Sequence, residues 1–154
     1  MTSTDLKKLF IDFFSRKRSI IVPIEAPLVP YGTITISEAA SILLTKTEEL
    51  GDTQAGIHLP DTDIKVYKKS TVQKANSLKV IANLKYVAET HDCDDFAAKA
   101  FGKGLGLVWT NAHALNWFID WKGVFWFVEP QTGVMSKTLD TSWQGYDVRF
   151  YIGR

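Results

Sequence analysis

The chain of 154 residues contains one cysteine, two methionines and three histidines, so thiol, thioether and imidazole groups are scarce. A single cysteine excludes an internal disulfide, which predicts a reducing compartment and therefore a cytoplasmic protein. The sequence has no apolar run of membrane-spanning length, and its first residues lack the apolar core of a signal peptide. We therefore expect no membrane partner.

The chain also has almost no net charge, because 18 basic residues are balanced by 17 acidic ones. This balance provides no overall attraction for nucleic acid, and we expect no nucleic-acid partner. Internal repeats, low-complexity tracts and long linkers are absent as well. The length, the 45% of hydrophobic residues and the 23% of charged residues are typical of a single globular domain over residues 1–154.

The first half of the chain predicts helices separated by extended and loop segments. Apolar stripes predict amphipathic helices at 4–16 and 37–50, the second capped by Ser37. Between the two helices we predict an extended segment with a short edge strand, at 19–34. After the second helix we predict a surface loop at 51–63, a short strand at 64–67 and an interrupted helix at 70–87.

The last third of the chain is rich in aromatic residues: all five tryptophans and 11 of the 19 aromatics follow residue 101. Aromatic residues favour strands, so we predict an antiparallel sheet with a bulky core. A rim of exposed tryptophans that binds carbohydrate or a peptide is the alternative. The loop 121–123 ends in glycine and predicts a hairpin between two of the strands. The predicted strands are 106–110, 113–120, 124–129 and 146–152.

Cys93 lies at the start of a predicted helix, 93–102. Asp92 is a suitable N-cap, and Asp94 and Asp95 suit the first turn, where free N–H groups attract negative charge. The helix dipole can lower the pKa of a thiol at such a position, and the Cys93 N–H can contribute to an oxyanion hole. The three carboxylates oppose a thiolate, however. A buried, unreactive cysteine is therefore the alternative.

His113 and Glu129 lie on the two strands of the predicted hairpin. Depending on the loop type, His113 falls opposite a residue between about 129 and 132, and side chains on one face of a hairpin can meet. Glu129 can orient an imidazole and stabilise its charged form, whereas Gln131 can only orient it, so we favour Glu129. His91 is interpreted as a loop residue at the rim, with a second imidazole near the site as the alternative.

Three motifs together resemble those of a papain-like or transglutaminase-like family of cysteine peptidases: Asp-Cys-Asp-Asp-Phe-Ala, Ala-His-Ala-Leu-Asn and Val-Glu-Pro-Gln-Thr-Gly. Its relatives include the C-terminal domain of a mushroom agglutinin and small bacteriophage proteins. The resemblance covers residues 78–135. It implies an α+β, papain-like fold with N-terminal helices and a nucleophile helix packed on a C-terminal antiparallel sheet. It also implies Cys93 as nucleophile, His113 as general base and acid, and Glu129 as the orienting residue.

The resemblance has further implications for cofactor and location. The agglutinin enzyme is calcium-dependent, which gives Asp92, Asp94 and Asp95 a candidate role as calcium ligands, although the proposed chemistry requires no cofactor. If the protein is phage-encoded, it is expected in the cytoplasm of the host cell.

The leading functional hypothesis is cysteine-dependent acyl transfer, above all hydrolysis of a peptide or isopeptide bond in a protein or peptide substrate. Transfer of the acyl group to an amine, as in a transglutaminase, is one alternative. A papain-like binding module without enzymatic activity is the other. The absence of a glutamine a few residues before Cys93, where papain places an oxyanion donor, favours this last alternative.

Overall fold

The computed structural model describes residues 26–52, 54–59 and 62–154. The helix predicted at 4–16 and the first part of the extended segment, 19–25, lie outside these residues. The described helices are α1 (Ile36–Glu49), α2 (Lys69–Lys74), α3 (Asn76–Ala82) and α4 (Cys93–Gly102). The described strands are β1 (Gly32–Thr35), β2 (Gly56–His58), β3 (Asp63–Tyr67), β4 (Gly106–Thr110), β5 (Ala114–Asp120), β6 (Phe125–Val128), β7 (Met135–Ser136) and β8 (Val148–Ile152). None of the described helices has the length and apolar character needed to span a membrane.

These strands form one sheet, with the order β1-β3-β5-β4-β8-β2 and with β6 and β7 added beside β5. The antiparallel sheet predicted for the C-terminal third is confirmed for β4, β5, β6 and β8. Strand β7, which was not predicted, pairs antiparallel with β6. Strands β2 and β3, which precede the C-terminal third, join the same sheet and pair parallel with β8 and β5. The fold is therefore α+β with a mixed sheet.

The N-terminal half departs from the prediction in two places. Thr35, and not Ser37, caps α1: its hydroxyl accepts from the Glu38 N–H at 3.2 Å, and the Glu38 carboxylate accepts from the Thr35 N–H at 2.8 Å. Ser37 could not form this reciprocal box, because Ala40 stands three residues after it. The predicted loop 51–63 contains β2, whose partner β8 comes almost a hundred residues later.

Helix α4 packs on β5, and a buried asparagine fixes its position. Asn116 on β5 donates its side-chain amide to the Ala97 carbonyl at 2.9 Å and to the Gly106 carbonyl at 3.0 Å. Phe96 and Ala100 of the same helix are buried in a cluster with Phe118, on the same strand. The amide therefore ties the middle of α4 to the middle of β5 and to the first residue of β4.

The direction of α4 follows from the contacts of its C-terminal end. The Tyr67 hydroxyl donates to the Gly104 carbonyl at 2.9 Å, and Tyr67 pairs with Asp120 at the far end of β5. The loop that follows α4 therefore contacts the residue that pairs with the last residue of β5. From this contact and the contact of Asn116 with Ala97, we infer that the helix runs from the His113 end of β5 towards its Asp120 end. Cys93 lies about 6 Å along the helix axis from Ala97. His113 lies about 10 Å along the strand from Asn116.

We predict that Gly106→Ala destabilises the protein by about 1–3 kcal/mol, because an added methyl group has no room. A Cβ at Gly106 would lie 2.2 Å from the indole of Trp117, which is only 1% exposed and cannot move aside. Gly32→Ala in β1 is the matched control, since no atom lies within 4 Å of its added Cβ. Urea unfolding measures both variants. Equal stability of the two would contradict this account of the β4–β5 packing.

Candidate active site

The β4–β5 turn is held by the hydroxyl of Thr110, which is buried. This oxygen accepts from the backbone N–H groups of Ala112 at 3.2 Å and His113 at 2.9 Å. It also lies 2.6 Å from the Gln144 carbonyl, to which it can donate. One hydroxyl therefore fixes the backbone of His113 against the loop that precedes β8.

The structure brings His113 and Glu129 together in a buried hydrogen bond. His113 Nε2 lies 2.9 Å from Glu129 Oε2, and the two residues are 7% and 3% exposed. If the β5–β6 register continued past its last pair, Gln131 would stand opposite His113, and Glu129 would be a diagonal neighbour on the same face. Gln131 instead donates its backbone N–H to Glu129 Oε1 at 3.2 Å. The preference for Glu129 over Gln131 as the partner of His113 agrees with this geometry, and its catalytic role stays a prediction.

Gln144 is a further member of this cluster that the sequence analysis missed. Its Nε2 lies 3.0 Å from Glu129 Oε2, the oxygen that also contacts His113. The loop can come this close because the next residue is Gly145, which has a φ of +90° and whose added Cβ would lie 2.7 Å from Thr110 Oγ1. A glutamine before a glycine was the only sequence signal, and it is a weak one.

Trp143 covers part of the imidazole. Its ring centroid lies 5.0 Å from that of His113 with the planes tilted by 59°, and its Nε1 donates to Asp140 Oδ2 at 3.1 Å. The tryptophans divide between the two predicted roles. Trp117 is a core residue, whereas Trp121 and Trp143 are 48% and 46% exposed.

Cys93 is the first residue of α4 and Asp92 is its N-cap, as predicted. A reciprocal box reinforces this helix start: the Asp92 side chain accepts from the Asp95 N–H, and Asp95 Oδ2 accepts from the Asp92 N–H at 3.3 Å. Cys93 is a free cysteine and is partly buried. Among the described residues, its thiol makes no hydrogen bond to the ring of His113. Catalytic hydrogen bonds are often long in free enzymes and shorten when substrate binds.

The acidic cluster surrounds the thiol. One ligand atom from each of Asp92, Cys93 and Asp94 lies within 4.8 Å of the others. The pKa of Asp94 is raised, first by the hydrogen bond between its carboxyl group and that of Asp92, and then by slight desolvation and the Asp92 charge. These carboxylates are hard oxygen ligands of the kind that calcium prefers, but calcium takes six to eight oxygens. Backbone carbonyls and water would have to complete such a site.

His91 lies in the loop before α4, as predicted. Its Nδ1 lies 2.8 Å from the Lys85 carbonyl, and its ring packs 4.5 Å from that of Phe96. Through these two contacts, His91 stabilises the loop that leads into Cys93.

No family model and no curated protein matches this sequence. Solved structures do resemble it. One is a Polyporus squamosus lectin bound to the human-type influenza-binding epitope Neu5Acα2-6Galβ1-4GlcNAc, with a TM-score of 0.62, 20% identity, and coverage of 78% of this chain and 49% of that one. Another is a complex of PSL1a with E64, with a TM-score of 0.63, 20% identity, and coverage of 78% and 50%.

The comparison concerns the fold. The expected similarity to a mushroom agglutinin is confirmed at this level, while membership of a papain-like peptidase family stays a prediction. The chain spans about half the length of the two chains that it resembles.

Proposed function

We propose that this protein is a cysteine-dependent acyl transferase that hydrolyses peptide or isopeptide bonds, with Cys93, His113 and Glu129 as its catalytic residues. The buried hydrogen bond between His113 and Glu129 carries the proposal, because a carboxylate paired with an imidazole orients the ring and stabilises its charged form. The contacts of Ala97 with Asn116 and of Gly104 with Tyr67 support the proposal that the thiol and the ring lie at the same end of β5.

The orientation of the His113 ring is suitable for proton transfer from the Cys93 thiol. Glu129 occupies Nε2, so Nδ1 is the nitrogen left to take a proton from the Cys93 thiol. The sulfur would attack the substrate carbonyl, and His113 would return the proton to the leaving amine, which leaves a thioester on Cys93. Water, activated by His113, would then release the acid, whereas attack by an amine would give transamidation. The N–H of Cys93 at the helix start would stabilise the oxyanion.

E64 is a suitable probe, since it is an epoxide that alkylates nucleophilic thiols. We predict that the protein gains the mass of E64 and that Cys93→Ala abolishes this gain and any peptide hydrolysis. His113→Ala should slow alkylation by about 100-fold or more, because the general base is lost. Glu129→Gln should have a smaller effect in the same direction. Intact-mass spectrometry over time measures the rates.

His91→Ala is the control for a histidine that supports the same helix without belonging to the catalytic set. It should leave the alkylation rate within about twofold of the wild-type rate. Alkylation of His113→Ala at the wild-type rate, or peptide hydrolysis that survives in Cys93→Ala, would refute the proposal.

Calcium binding at Asp92 and Asp94 is a separate part of the proposal. Asp95, the third predicted ligand, has one oxygen engaged with the Asp92 N–H. The two carboxylates that share a hydrogen bond would exchange their proton for the cation, so proton and calcium compete. A bound cation would also offset the negative charge around the thiol.

We predict that millimolar calcium raises the melting temperature more at pH 7 than at pH 5, because the raised pKa of Asp94 favours its protonated form as the pH falls. Asp94→Asn should remove the calcium effect, and Asp63→Asn, an exposed aspartate at the start of β3, should retain it. A melting temperature that does not respond to calcium, or an equal response in Asp94→Asn, would exclude the site.

Carbohydrate binding without catalysis is the second candidate, favoured by the lectin among the similar structures. Trp143, whose ring lies beside His113, is 46% exposed, and Tyr146, three residues later in the chain, is 70% exposed. Such rings can pack against the C–H face of a sugar. On this alternative, a binding site would use the aromatic rim and not the thiol.

The two candidates predict different results with the trisaccharide Neu5Acα2-6Galβ1-4GlcNAc. A binding module should show saturation transfer from protein to sugar protons in NMR, lost in Trp143→Ala and retained in both Trp121→Ala and Cys93→Ala. Our leading proposal predicts no such transfer together with alkylation of Cys93 by E64. Sugar binding combined with an inert Cys93 would decide for the binding module.

A further inference from the structure

We infer that Gln144 is a positioning residue that holds the carboxylate of Glu129 in place for His113; this inference rests on the proposed function and adds a fourth side chain to it. The amide acts on the carboxylate, and only through it on the imidazole. No sequence motif includes this residue, because its partners are Glu129 and Thr110, which are distant in the chain, and Asp140 in its own loop.

The carboxylate of Glu129 is held at both of its oxygens. Oε2 contacts His113 Nε2 at 2.9 Å and Gln144 Nε2 at 3.0 Å, and Oε1 accepts from the Gln131 N–H at 3.2 Å. A buried glutamate with His113 as its sole partner could rotate about its side-chain torsions. With three donors in fixed positions, rotation breaks several hydrogen bonds at once. The amide therefore restricts the direction in which Glu129 presents its oxygen to the ring.

The orientation of the Gln144 amide is itself determined by its surroundings. Its Oε1 accepts from the Asp140 N–H at 2.8 Å, which forces the NH₂ group to face Glu129. Its backbone N–H donates to the Asp140 carbonyl at 2.8 Å, and its own carbonyl lies 2.6 Å from the Thr110 hydroxyl. The residue is 8% exposed. Because both the backbone and the side-chain amide of Gln144 are held by hydrogen bonds and shielded from water, the amide N–H stays directed at the Glu129 carboxylate.

The chemistry requires a neutral donor at this position. An amide N–H stabilises the ionised carboxylate without adding a second cation that would compete with the imidazolium for it. Leucine has a similar size and cannot donate. A glutamic acid has almost the same shape and can donate an O–H group while it is protonated. Once ionised it has no donor, and it places a second negative charge beside Glu129.

This difference gives a test with a pH signature. We expect Gln144→Leu to lower the rate of E64 alkylation by about tenfold or more at every pH, as for the loss of a hydrogen bond to a charged group. Gln144→Glu should react near the wild-type rate at low pH and fall behind as the pH rises. The fall should occur above the ordinary glutamate pKa of about 4.3, because two adjacent carboxylates share one proton.

Gln73→Leu and Gln73→Glu, at an exposed position of α2, are the matched controls and should keep a constant ratio to the wild-type rate. A ratio for Gln144→Glu that does not change with pH would overturn the inference, because a residue that only fills space would not respond to a proton. Rates for both Gln144 variants within twofold of wild type would overturn it as well.

A second readout separates this inference from the proposed function. The ¹⁵N NMR signals of the His113 ring report its hydrogen bond to Glu129 whether or not the thiol reacts. If the wild-type protein resists E64, the catalytic proposal fails, while altered His113 signals in Gln144→Leu but not in Gln73→Leu still support the positioning role. Unchanged His113 signals in both Gln144 variants would overturn it.

Discussion

The hydrogen bond between His113 and Glu129 is the interaction on which this account of the molecule depends. It joins two polar side chains that are almost wholly removed from water, and removal of one partner of such a pair typically costs about 3–5 kcal/mol when the other is left charged and unpaired. The buried carboxylate of Glu129 also needs hydrogen-bond donors at its remaining acceptor positions. The side chain of Gln144 and the backbone N–H of Gln131 supply them. Two buried polar side chains with this many hydrogen-bond partners are more than packing alone requires, and this favours a functional pair.

The rest of the fold brings a helix start to this pair. Asn116 fixes α4 on β5 through the Ala97 carbonyl, and the contact between Tyr67 and Gly104 sets the direction in which the helix runs. From these two contacts we infer that Cys93 begins its helix at the end of the sheet where His113 lies. The same arrangement gathers carboxylates around the thiol. Negative charge beside a nucleophilic sulfur is unfavourable, and this is the physical reason for considering a cation at Asp92 and Asp94.

The features that could be predicted are those determined by residues close together in the sequence, or by the alternation of side chains between the two faces of a strand. The start of α4 at Cys93 follows from helix capping by Asp92. The presence of His113 and Glu129 on one face of the sheet follows from two strands joined by a short loop. What could not be predicted depends on distant partners. Strand β2 exists because β8 offers it an edge, and Gln144 reaches Glu129 because Thr110 and Gly145 bring two loops into contact. The prediction of Ser37 as the cap of α1 was wrong for a local reason, because the sequence already contained the Thr35 and Glu38 pair that forms the reciprocal box.

In the proposed mechanism, the thiol of Cys93 and the ring of His113 act on one substrate carbonyl. A crystal structure of the E64 adduct tests it most directly, through the distance from Cys93 Sγ to His113 Nδ1. The account predicts a distance of about 4 Å or less, with Nε2 of the same ring still bonded to Glu129. A distance of more than about 6 Å between Cys93 Sγ and His113 Nδ1, with Nδ1 directed away from the adduct, would contradict the proposed mechanism.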